Sequence, residues 1–278
     1  MKEFFPGDSY QTPDDRRRFL TDKIFCWTRW PFYVRFLSVV LRSKALSQKG
    51  LYTQEAFADA SYRIFRDIEG CGGRVRITGI DNIRKTQGPV VFIGNHMSTL
   101  EAVILPCIIA PLKPLTFIVK QKLIDGILFG PIMSAIDPVA VTRTDPRKDL
   151  TDVLTRGPEK IAGGRSLVIF PQAAARARSV TFNPAMFNSL GVKLAARAGV
   201  PVIPVALKTD FWGSGRIFKD LGKIRRKEPI YFEFGEPFTV SGRGKQEHER
   251  ITEFIASRLR SWGVPVTETP ASSEKEPE

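Results

Sequence analysis

The residues best suited to chemistry in this chain are His96 and Glu101, a histidine and a carboxylate five positions apart. His96 is one of only two histidines in 278 residues, and it follows an apolar run at 90–93 that is typical of a buried strand. A Gly-Asn pair ends that run, so the sequence predicts His96 at the carboxyl end of a strand. Ser98 or Thr99 can cap the helix that follows, which places Glu101 in its first turn, within reach of the imidazole.

Such a pair suits proton transfer. A carboxylate bonded to one ring nitrogen of a histidine fixes the tautomer and leaves the other nitrogen able to take a proton from a hydroxyl group. His96 is therefore a candidate general base, with Glu101 as the group that orients it. The alternative is a structural histidine hydrogen-bonded to backbone, which is common after a strand, and the pair alone leaves both interpretations open.

The order Asn95-His96, four residues, Glu101 resembles the first motif of the glycerophospholipid acyltransferase family, 1-acylglycerol-3-phosphate acyltransferase type, whose usual form is Asn-His-x-x-x-x-Asp. Glu101 stands where most members have Asp, as it does in the related late acyltransferases of lipid A synthesis. The resemblance implies that His96 is the general base and that Glu101 steadies the imidazolium. It also implies that Asn95, with backbone amides at the start of the next helix, polarises the oxygen of a thioester.

Two further segments resemble later motifs of the family, in family order. Thr142-Arg143 follows a predicted strand at the place where the second motif ends in an arginine that binds the acceptor's phosphate. Arginine suits that role because its planar fork bonds two phosphate oxygens at once, although an arginine after a strand is more often a solvated surface residue. The apolar run at 200–205, Val-Pro-Val-Ile-Pro-Val, resembles the fourth motif and reads as a buried strand at the wall of the site.

A more altered segment resembles the third motif, Phe-Pro-Glu-Gly-Thr-Arg. Phe170-Pro171 matches, Gln172 replaces the glutamate, and the arginine falls at Arg176 or Arg178. Gln172 keeps hydrogen-bonding capacity but loses the negative charge, and two alanines replace a flexible turn and a hydroxyl donor. The resemblance implies that Gln172 and one of the two arginines bind the acceptor, or else the arginines are basic residues of an exposed loop.

Composition limits the partners. The net charge of +13 predicts attraction to an anionic partner: phospholipid headgroups, nucleic acid or an acidic carrier. Nucleic acid fits poorly, because the sequence has no recognised nucleic-acid motif and its N-terminal basic residues lie beside aromatic ones. Three scattered cysteines lack metal-ligand spacing, which excludes a zinc site and fits a reducing compartment.

The region 1–73 is predicted to be helical and to associate with a membrane. Residues 19–44 mix bulky aromatic and basic side chains, a pattern typical of helices in a membrane interface. The alternative is a pair of amphipathic helices packed on the protein's own core, after a predicted break at Pro31, and both can hold at once. No stretch approaches the twenty or so uncharged apolar residues of a spanning helix. We expect a peripheral or monotopic protein on the cytoplasmic face of a membrane, the bacterial inner membrane.

From residue 74 the pattern alternates between strands and helices. It predicts an α/β fold, a mixed, largely parallel sheet flanked by helices, with the site at the carboxyl ends of the strands. The predicted units are 1–73, an α/β domain at 74–265 and a disordered acidic tail at 266–278. His248 falls among charges on a predicted helix and is expected to be solvated. The predicted strands are 74–77, 90–93, 115–119, 138–141, 166–170, 202–206 and 229–234, and the main helices are 53–69, 100–109, 147–162, 185–198 and 246–262.

Together, the resemblance implies transfer of a fatty acyl group from acyl-CoA or acyl carrier protein to the free hydroxyl of a lysophospholipid. The first expectation is 1-acylglycerol 3-phosphate as the acceptor, giving phosphatidic acid. No cofactor or metal is expected, and no serine or cysteine nucleophile is needed, because the hydroxyl attacks the thioester directly. The alternatives are another acceptor, an aminolipid or a lipid A-like molecule, or a membrane-binding protein that has lost catalysis.

Overall fold

A computed structural model describes residues 1–25, 28–142, 144–172, 181–215 and 221–267. Within that part of the chain, the fold is an eight-stranded sheet with helices on both faces. The strands are β1 (Tyr10–Gln11), β2 (Val75–Thr78), β3 (Val91–Gly94), β4 (Leu115–Lys120), β5 (Val139–Val141), β6 (Ser166–Ile169), β7 (Val202–Lys208) and β8 (Ile230–Phe234). The helices are α1 (Leu20–Ile24), α2 (Trp30–Gln48), α3 (Gln54–Gly70), α4 (Ile80–Arg84), α5 (Leu100–Ile109), α6 (Gln121–Ile124), α7 (Gly130–Ile136), α8 (Pro146–Ala162), α9 (Leu190–Ala198) and α10 (Lys245–Ser261).

The strand order is β1-β2-β8-β7-β3-β6-β4-β5. Only the β1/β2 and β7/β8 pairs are antiparallel among these neighbours, so the predicted mixed, largely parallel sheet is confirmed. Five neighbouring strands, β7, β3, β6, β4 and β5, run in the same direction. Because the carboxyl ends of parallel strands meet at one edge of a sheet, residues that follow these five strands face the same region of the molecule.

The central strand β3 is buried on both faces, as its continuous apolar sequence predicts. Phe92 packs into a core shared with α2, α3 and α5. Val91 and Ile93 point to the opposite face and pack into a second core, which includes residues of α8, α9 and α10. The strand is therefore held rigidly between two layers, and so is the loop that leaves its carboxyl end.

The N-terminal helices share the first of these cores. On α2, Phe32, Tyr33 and Phe36 surround the ring of Trp212, with ring centroids 4.9, 5.8 and 5.0 Å away. The strand β1 joins the sheet by pairing with β2. One face of the predicted membrane-association region thus packs on the α/β domain, and the predicted division at residue 73 stays a prediction.

Several local predictions need correction. Pro31, taken as a break, lies in the first turn of α2, where its missing N–H costs nothing. His248 is not solvated: it is partly buried and stacks on Phe187, and burial lowers its pKa because it disfavours the charged form. Val266 pairs with Phe182, so the ordered body passes the predicted boundary at 265. Residues 268–278 lie outside the described part.

None of the helices that the structure describes is long and apolar enough to span a membrane.

Candidate active site

Three strand ends bring the predicted chemistry together. His96 follows β3, Gln172 follows β6, and Thr209 follows β7, and β3 lies between the other two strands in the sheet. The parallel register aligns these ends, since Ile93 lies opposite both Ile169 of β6 and Pro204 of β7. The loop that carries His96 is therefore flanked on both sides by residues of neighbouring strands.

His96 and Glu101 form the predicted pair. The Nδ1 atom of His96 lies 3.7 Å from Oε2 of Glu101, which is within ion-pair range but longer than a hydrogen bond. The imidazole retains 14% of its exposure while the carboxylate has none. A substrate hydroxyl can thus approach the ring, whereas the carboxylate acts only through the ring.

Glu101 is held by donors from two elements. Its Oε1 accepts hydrogen bonds from the backbone N–H groups of Met97 (2.6 Å) and Ser98 (2.9 Å) and from the hydroxyl of Thr209 (2.7 Å). Burial raises the pKa of Glu101, and these hydrogen bonds oppose that rise without cancelling it. Oε2 faces the imidazole and also accepts from the N–H (3.0 Å) and the hydroxyl (3.3 Å) of Ser98.

The third motif supports His96 from the side of β6. The ring of Phe170 stacks on the imidazole, with centroids 4.7 Å apart and planes 11° from parallel. The Oε1 atom of Gln172 accepts a hydrogen bond from the backbone N–H of His96 at 2.5 Å. Gln172 therefore holds the His96 loop, and its predicted role in binding substrate stays a prediction.

Asn95 ties the same loop to β7. Its side chain is 1% exposed, donates from Nδ2 to the carbonyl oxygen of Leu207 at 2.7 Å, and accepts from the N–H of Leu207 at 2.9 Å. This two-way contact extends the pairing between β3 and β7 by one side chain. It favours a role in positioning His96, while polarisation of a thioester oxygen by Asn95 stays a prediction.

The three predicted phosphate-binding arginines, Arg143, Arg176 and Arg178, lie outside the described residues. Position 143 follows Thr142, whose backbone N–H and hydroxyl both donate to Asp149 of α8, at 2.7 and 3.0 Å. Since neighbouring strands are about 4.8 Å apart, the end of β5 lies roughly 14 Å from the end of β3.

Some residues of this edge were missed from the sequence. The sequence predicts no role for Thr209 or Lys120 and only a helix cap for Ser98. Lys120 ends β4, between the ends of β6 and β5 in the sheet. The signal for each was its position directly after a buried strand or beside the histidine. Among the residues described, no cluster of three or more His, Cys, Asp or Glu side chains suited to a metal ion occurs.

Known proteins that are similar to this chain in sequence have names consistent with such a site. Residues 74–208 match the family model described as Acyltransferase. A 1-acyl-sn-glycerol-3-phosphate acyltransferase of Pseudomonas aeruginosa is 26% identical over 200 residues, covering 72% of this chain and 70% of that protein. The chloroplastic 1-acyl-sn-glycerol-3-phosphate acyltransferase BAT2 of Brassica napus is 31% identical over 141 residues, covering 51% of this chain but only 38% of that protein.

The fold also has a solved counterpart. The crystal structure of the 1-acyl-sn-glycerophosphate acyltransferase PlsC from Thermotoga maritima aligns with a TM-score of 0.60 at 18% identity, covering 86% of this chain and 96% of that one. At that identity the likeness concerns the fold. The family model and the named relatives add the sequence evidence, and the first motif predicted from His96 and Glu101 falls inside the matched range. Together, the matching family model and the named relatives support the assignment of the chain to the glycerophospholipid acyltransferase family.

Proposed function

We propose that the protein transfers a fatty acyl group from a thioester to the free hydroxyl of 1-acyl-sn-glycerol 3-phosphate, giving phosphatidic acid. The observation that carries the proposal is the pairing of a partly exposed His96 with a fully buried Glu101 at the carboxyl edge of the sheet. The relatives in Pseudomonas aeruginosa and in plants are named 1-acyl-sn-glycerol-3-phosphate acyltransferases, which supports this choice of acceptor.

In the proposed mechanism, His96 removes the proton from the acceptor hydroxyl as its oxygen attacks the thioester carbonyl. A C–O bond forms and a tetrahedral intermediate carries the negative charge on the former carbonyl oxygen. The intermediate then collapses, the C–S bond breaks, and the imidazolium returns its proton to the leaving thiolate. No covalent acyl-enzyme is needed, so the oxygen that attacks is the acceptor's own.

The surroundings of His96 fit the charge that this step creates. An imidazolium formed beside Oε2 of Glu101 at 3.7 Å gains a counter-charge in a site that excludes most water. The face of Phe170 at 4.7 Å adds a favourable interaction between a cation and an aromatic ring. Both contacts favour the charged ring over the neutral one, which lowers the barrier for proton removal.

The acceptor's phosphate is assigned to Arg143 together with Arg176 or Arg178, on the family resemblance. Lys120, at the end of β4, lies on the path across the sheet edge from His96 to the end of β5. Acyl-CoA and acyl carrier protein both supply a thioester, so either serves as the donor in this mechanism. Neither requires a cofactor beyond the donor itself.

Membrane association is supported by an exposed apolar surface on the first two helices. On α2, Trp30, Val34, Leu37 and Leu41 recur at helical spacing and are 45–65% exposed. Leu20, Ile24 and Phe25, in and just after α1, are 59–71% exposed. We call these seven residues the apolar stripe. Apolar patches of this kind on a basic protein fit the surface of an anionic bilayer, to which the free hydroxyl of the acceptor is confined.

A flotation assay with anionic vesicles tests this surface. Replacing Trp30, Val34 and Leu37 together with Ser should release the protein from the vesicles and reduce activity on membrane-embedded acceptor more than on a short-chain, water-soluble analogue. The matched control is Phe32→Ser on the buried face of the same helix, where exposure is 0%. That change should lower the melting temperature, with binding retained by the fraction that stays folded. Unchanged vesicle binding by the folded triple variant would rule out the apolar stripe as the membrane surface.

The activity is tested by incubating the purified protein with a panel of lysolipids and labelled acyl donors and identifying products by mass spectrometry. His96→Ala should reduce turnover by about 100- to 10,000-fold, the range typical of losing a general base. His248→Ala is the matched control, since His248 lies on α10 and stacks on Phe187 rather than on Phe170. Near-wild-type acyl transfer by a folded His96→Ala variant would exclude the mechanism.

The panel also separates the alternative acceptors. Gln172 is neutral where the family motif has a glutamate, and it already bonds the backbone of His96, so the acceptor site lacks that motif's negative charge. For this reason the panel includes an aminolipid and a lipid A-like acceptor. Product formed only from one of these would replace the proposed acceptor while leaving the His96 mechanism in place, and no product from any acceptor would favour a protein that has lost catalysis.

A further inference from the structure

Thr209 makes the contact between β7 and the buried carboxylate of the site. Its side chain is 0% exposed, and its hydroxyl donates to Oε1 of Glu101 at 2.7 Å. Its carbonyl oxygen accepts a hydrogen bond from the hydroxyl of Ser98 at 2.9 Å. Two residues earlier on the same strand, Leu207 exchanges two hydrogen bonds with Asn95. Residues at the end of β7 therefore hydrogen-bond to Asn95, Ser98 and Glu101, which lie on both sides of His96 in the chain.

These contacts determine which carboxylate oxygen faces the base. Oε1 receives the hydroxyl of Thr209 and the N–H of Met97, and the N–H of Ser98 is shared between Oε1 (2.9 Å) and Oε2 (3.0 Å). Oε2 also accepts from the hydroxyl of Ser98 at 3.3 Å and lies 3.7 Å from Nδ1 of His96. The two backbone donors come from the loop of His96 itself. Thr209 supplies the donor that comes from another strand, so it fixes the carboxylate relative to the sheet as well as relative to its own loop.

We propose that Thr209 is a positioning residue, whose hydroxyl holds Oε1 of Glu101 so that Oε2 faces the imidazole of His96. The inference rests on the proposed function, since it assigns Thr209 a part in the same proton transfer. Thr209 is 0% exposed, and among the described residues its hydroxyl contacts only groups of the His96 loop and the helix after it: it donates to Glu101 and accepts from the hydroxyl of Ser98 at 3.1 Å.

The charged groups around Glu101 allow the effect of Thr209 to be read in a pH profile. His96 is the titratable side chain within ion-pair distance of Glu101 among the described residues. Lys208, the next charged residue on β7, is engaged by Asp210 at 2.7 Å and Glu228 at 2.9 Å. Neighbouring β6 presents the uncharged Phe170 and Gln172. In the proposed mechanism, the pair is active when the imidazole is neutral and the carboxylate is ionised. Removing a hydrogen-bond donor to the carboxylate destabilises its ionised form, so the pair becomes protonated, and inactive, at a higher pH.

The experiment compares kcat, KM and the pH profile of kcat/KM for the wild type, Thr209→Val and Thr209→Ser. Valine keeps the shape of threonine and removes the hydroxyl. It should lower kcat on the order of tenfold, leave the acceptor KM unchanged, and move the acid limb of the profile to a pH about one unit higher. Serine keeps the hydroxyl and should restore both the rate and the profile. A Thr209→Val enzyme with wild-type kcat and an unmoved acid limb would overturn the proposal.

The chain offers a matched control in Thr12. It is 2% exposed and its hydroxyl donates to Oε1 of the buried Glu69 at 2.8 Å, so it makes the same type of bond away from the site. Thr12→Val should lower the melting temperature without moving the pH profile. If Thr209→Val does not fold, the pair Thr209→Ala and Thr209→Ser isolates the hydroxyl, because both lack the methyl group. Full activity of His96→Ala would defeat the proposed function itself, whereas loss of activity in His96→Ala with an unaltered Thr209→Val would defeat only this inference.

Discussion

Two buried glutamates, Glu69 and Glu101, receive similar hydrogen bonds but have different surroundings. Oε1 of Glu69 accepts from the hydroxyls of Tyr10 (2.6 Å) and Thr12 (2.8 Å), and Oε2 lies 3.6 and 3.5 Å from the guanidinium groups of Arg16 and Arg66. Glu101 accepts from Thr209 and two backbone amides and, within the described residues, has only His96 at ion-pair distance.

The difference distinguishes Glu69, a structural carboxylate, from Glu101, the carboxylate of the proposed catalytic pair. Glu69 has two arginines within ion-pair distance, so permanent positive charges lie beside it. Glu101 instead accepts hydrogen bonds from neutral donors, and its partner His96 is charged only when it is protonated. An ion held by dipoles alone gains most when a cation appears beside it, which is the moment at which the proposed base takes up its proton.

The largest expected effect is that mutation of Glu101 lowers kcat, whereas mutation of Glu69 lowers stability. Glu101→Gln should reduce kcat by about 100- to 10,000-fold, because the imidazolium loses its counter-charge, while the protein remains folded. Glu69→Gln should leave kcat close to wild type and lower the free energy of unfolding by about 2 kcal/mol, because it weakens hydrogen bonds to a charged group. Steady-state kinetics and urea denaturation of both variants measure this. Equal losses of activity in the two variants would abolish the distinction.

A smaller effect concerns the pH dependence of stability. Burial raises the pKa of Glu101 in the folded state above its ordinary value of 4.5, so folding favours the protonated carboxyl. Its contribution to stability is fully present below the unfolded-state pKa and is lost as the pH rises through the folded-state pKa. The free energy of unfolding of the wild type should therefore fall relative to that of Glu101→Gln as the pH is raised from about 4.5. A difference between the two proteins that stays constant over this range would show that the carboxyl is not perturbed.

The sequence predicted the strands of the sheet well because they are apolar runs bounded by glycine and proline. All seven predicted strands occur: β2 and β3 are each displaced by one residue, β7 is extended by two, and each of the other strands differs from its prediction by one residue at one end. The two-residue β1 and the four-residue α6 were not predicted, since so short an element has no period to detect. The helix 100–109 was predicted with its observed bounds, because an apolar run follows polar residues suited to its start.

The site was predicted only as far as local spacing reaches. His96 and Glu101 lie five positions apart, so their pairing could be inferred from the chain itself. Thr209 lies 108 positions from Glu101, and its contact depends on β7 pairing with β3, which no local pattern specifies. The same holds for Glu69, whose hydroxyl partners lie 57 and 59 positions away. Long-range hydrogen bonds to buried carboxylates are therefore what the fold adds to the motif.

The smallest expected effect is at Tyr10, the counterpart at Glu69 of the donor that Thr209 supplies to Glu101. Tyr10→Phe removes the hydroxyl that bonds Glu69 and keeps the ring that packs edge-on against Phe5 and Phe65. The loss should be about 1.5 kcal/mol of unfolding free energy, the lower end for a hydrogen bond to a charged group, since Tyr10 is only partly buried and Thr12 still donates. Neither kcat nor the pH profile should change, because the β1 edge of the sheet lies three strands from β7. Urea denaturation measures the unfolding free energy, and the acyl-transfer assay measures kcat and its pH profile. A displaced pH profile in Tyr10→Phe would mean that both glutamates influence catalysis, and the contrast between them would fail.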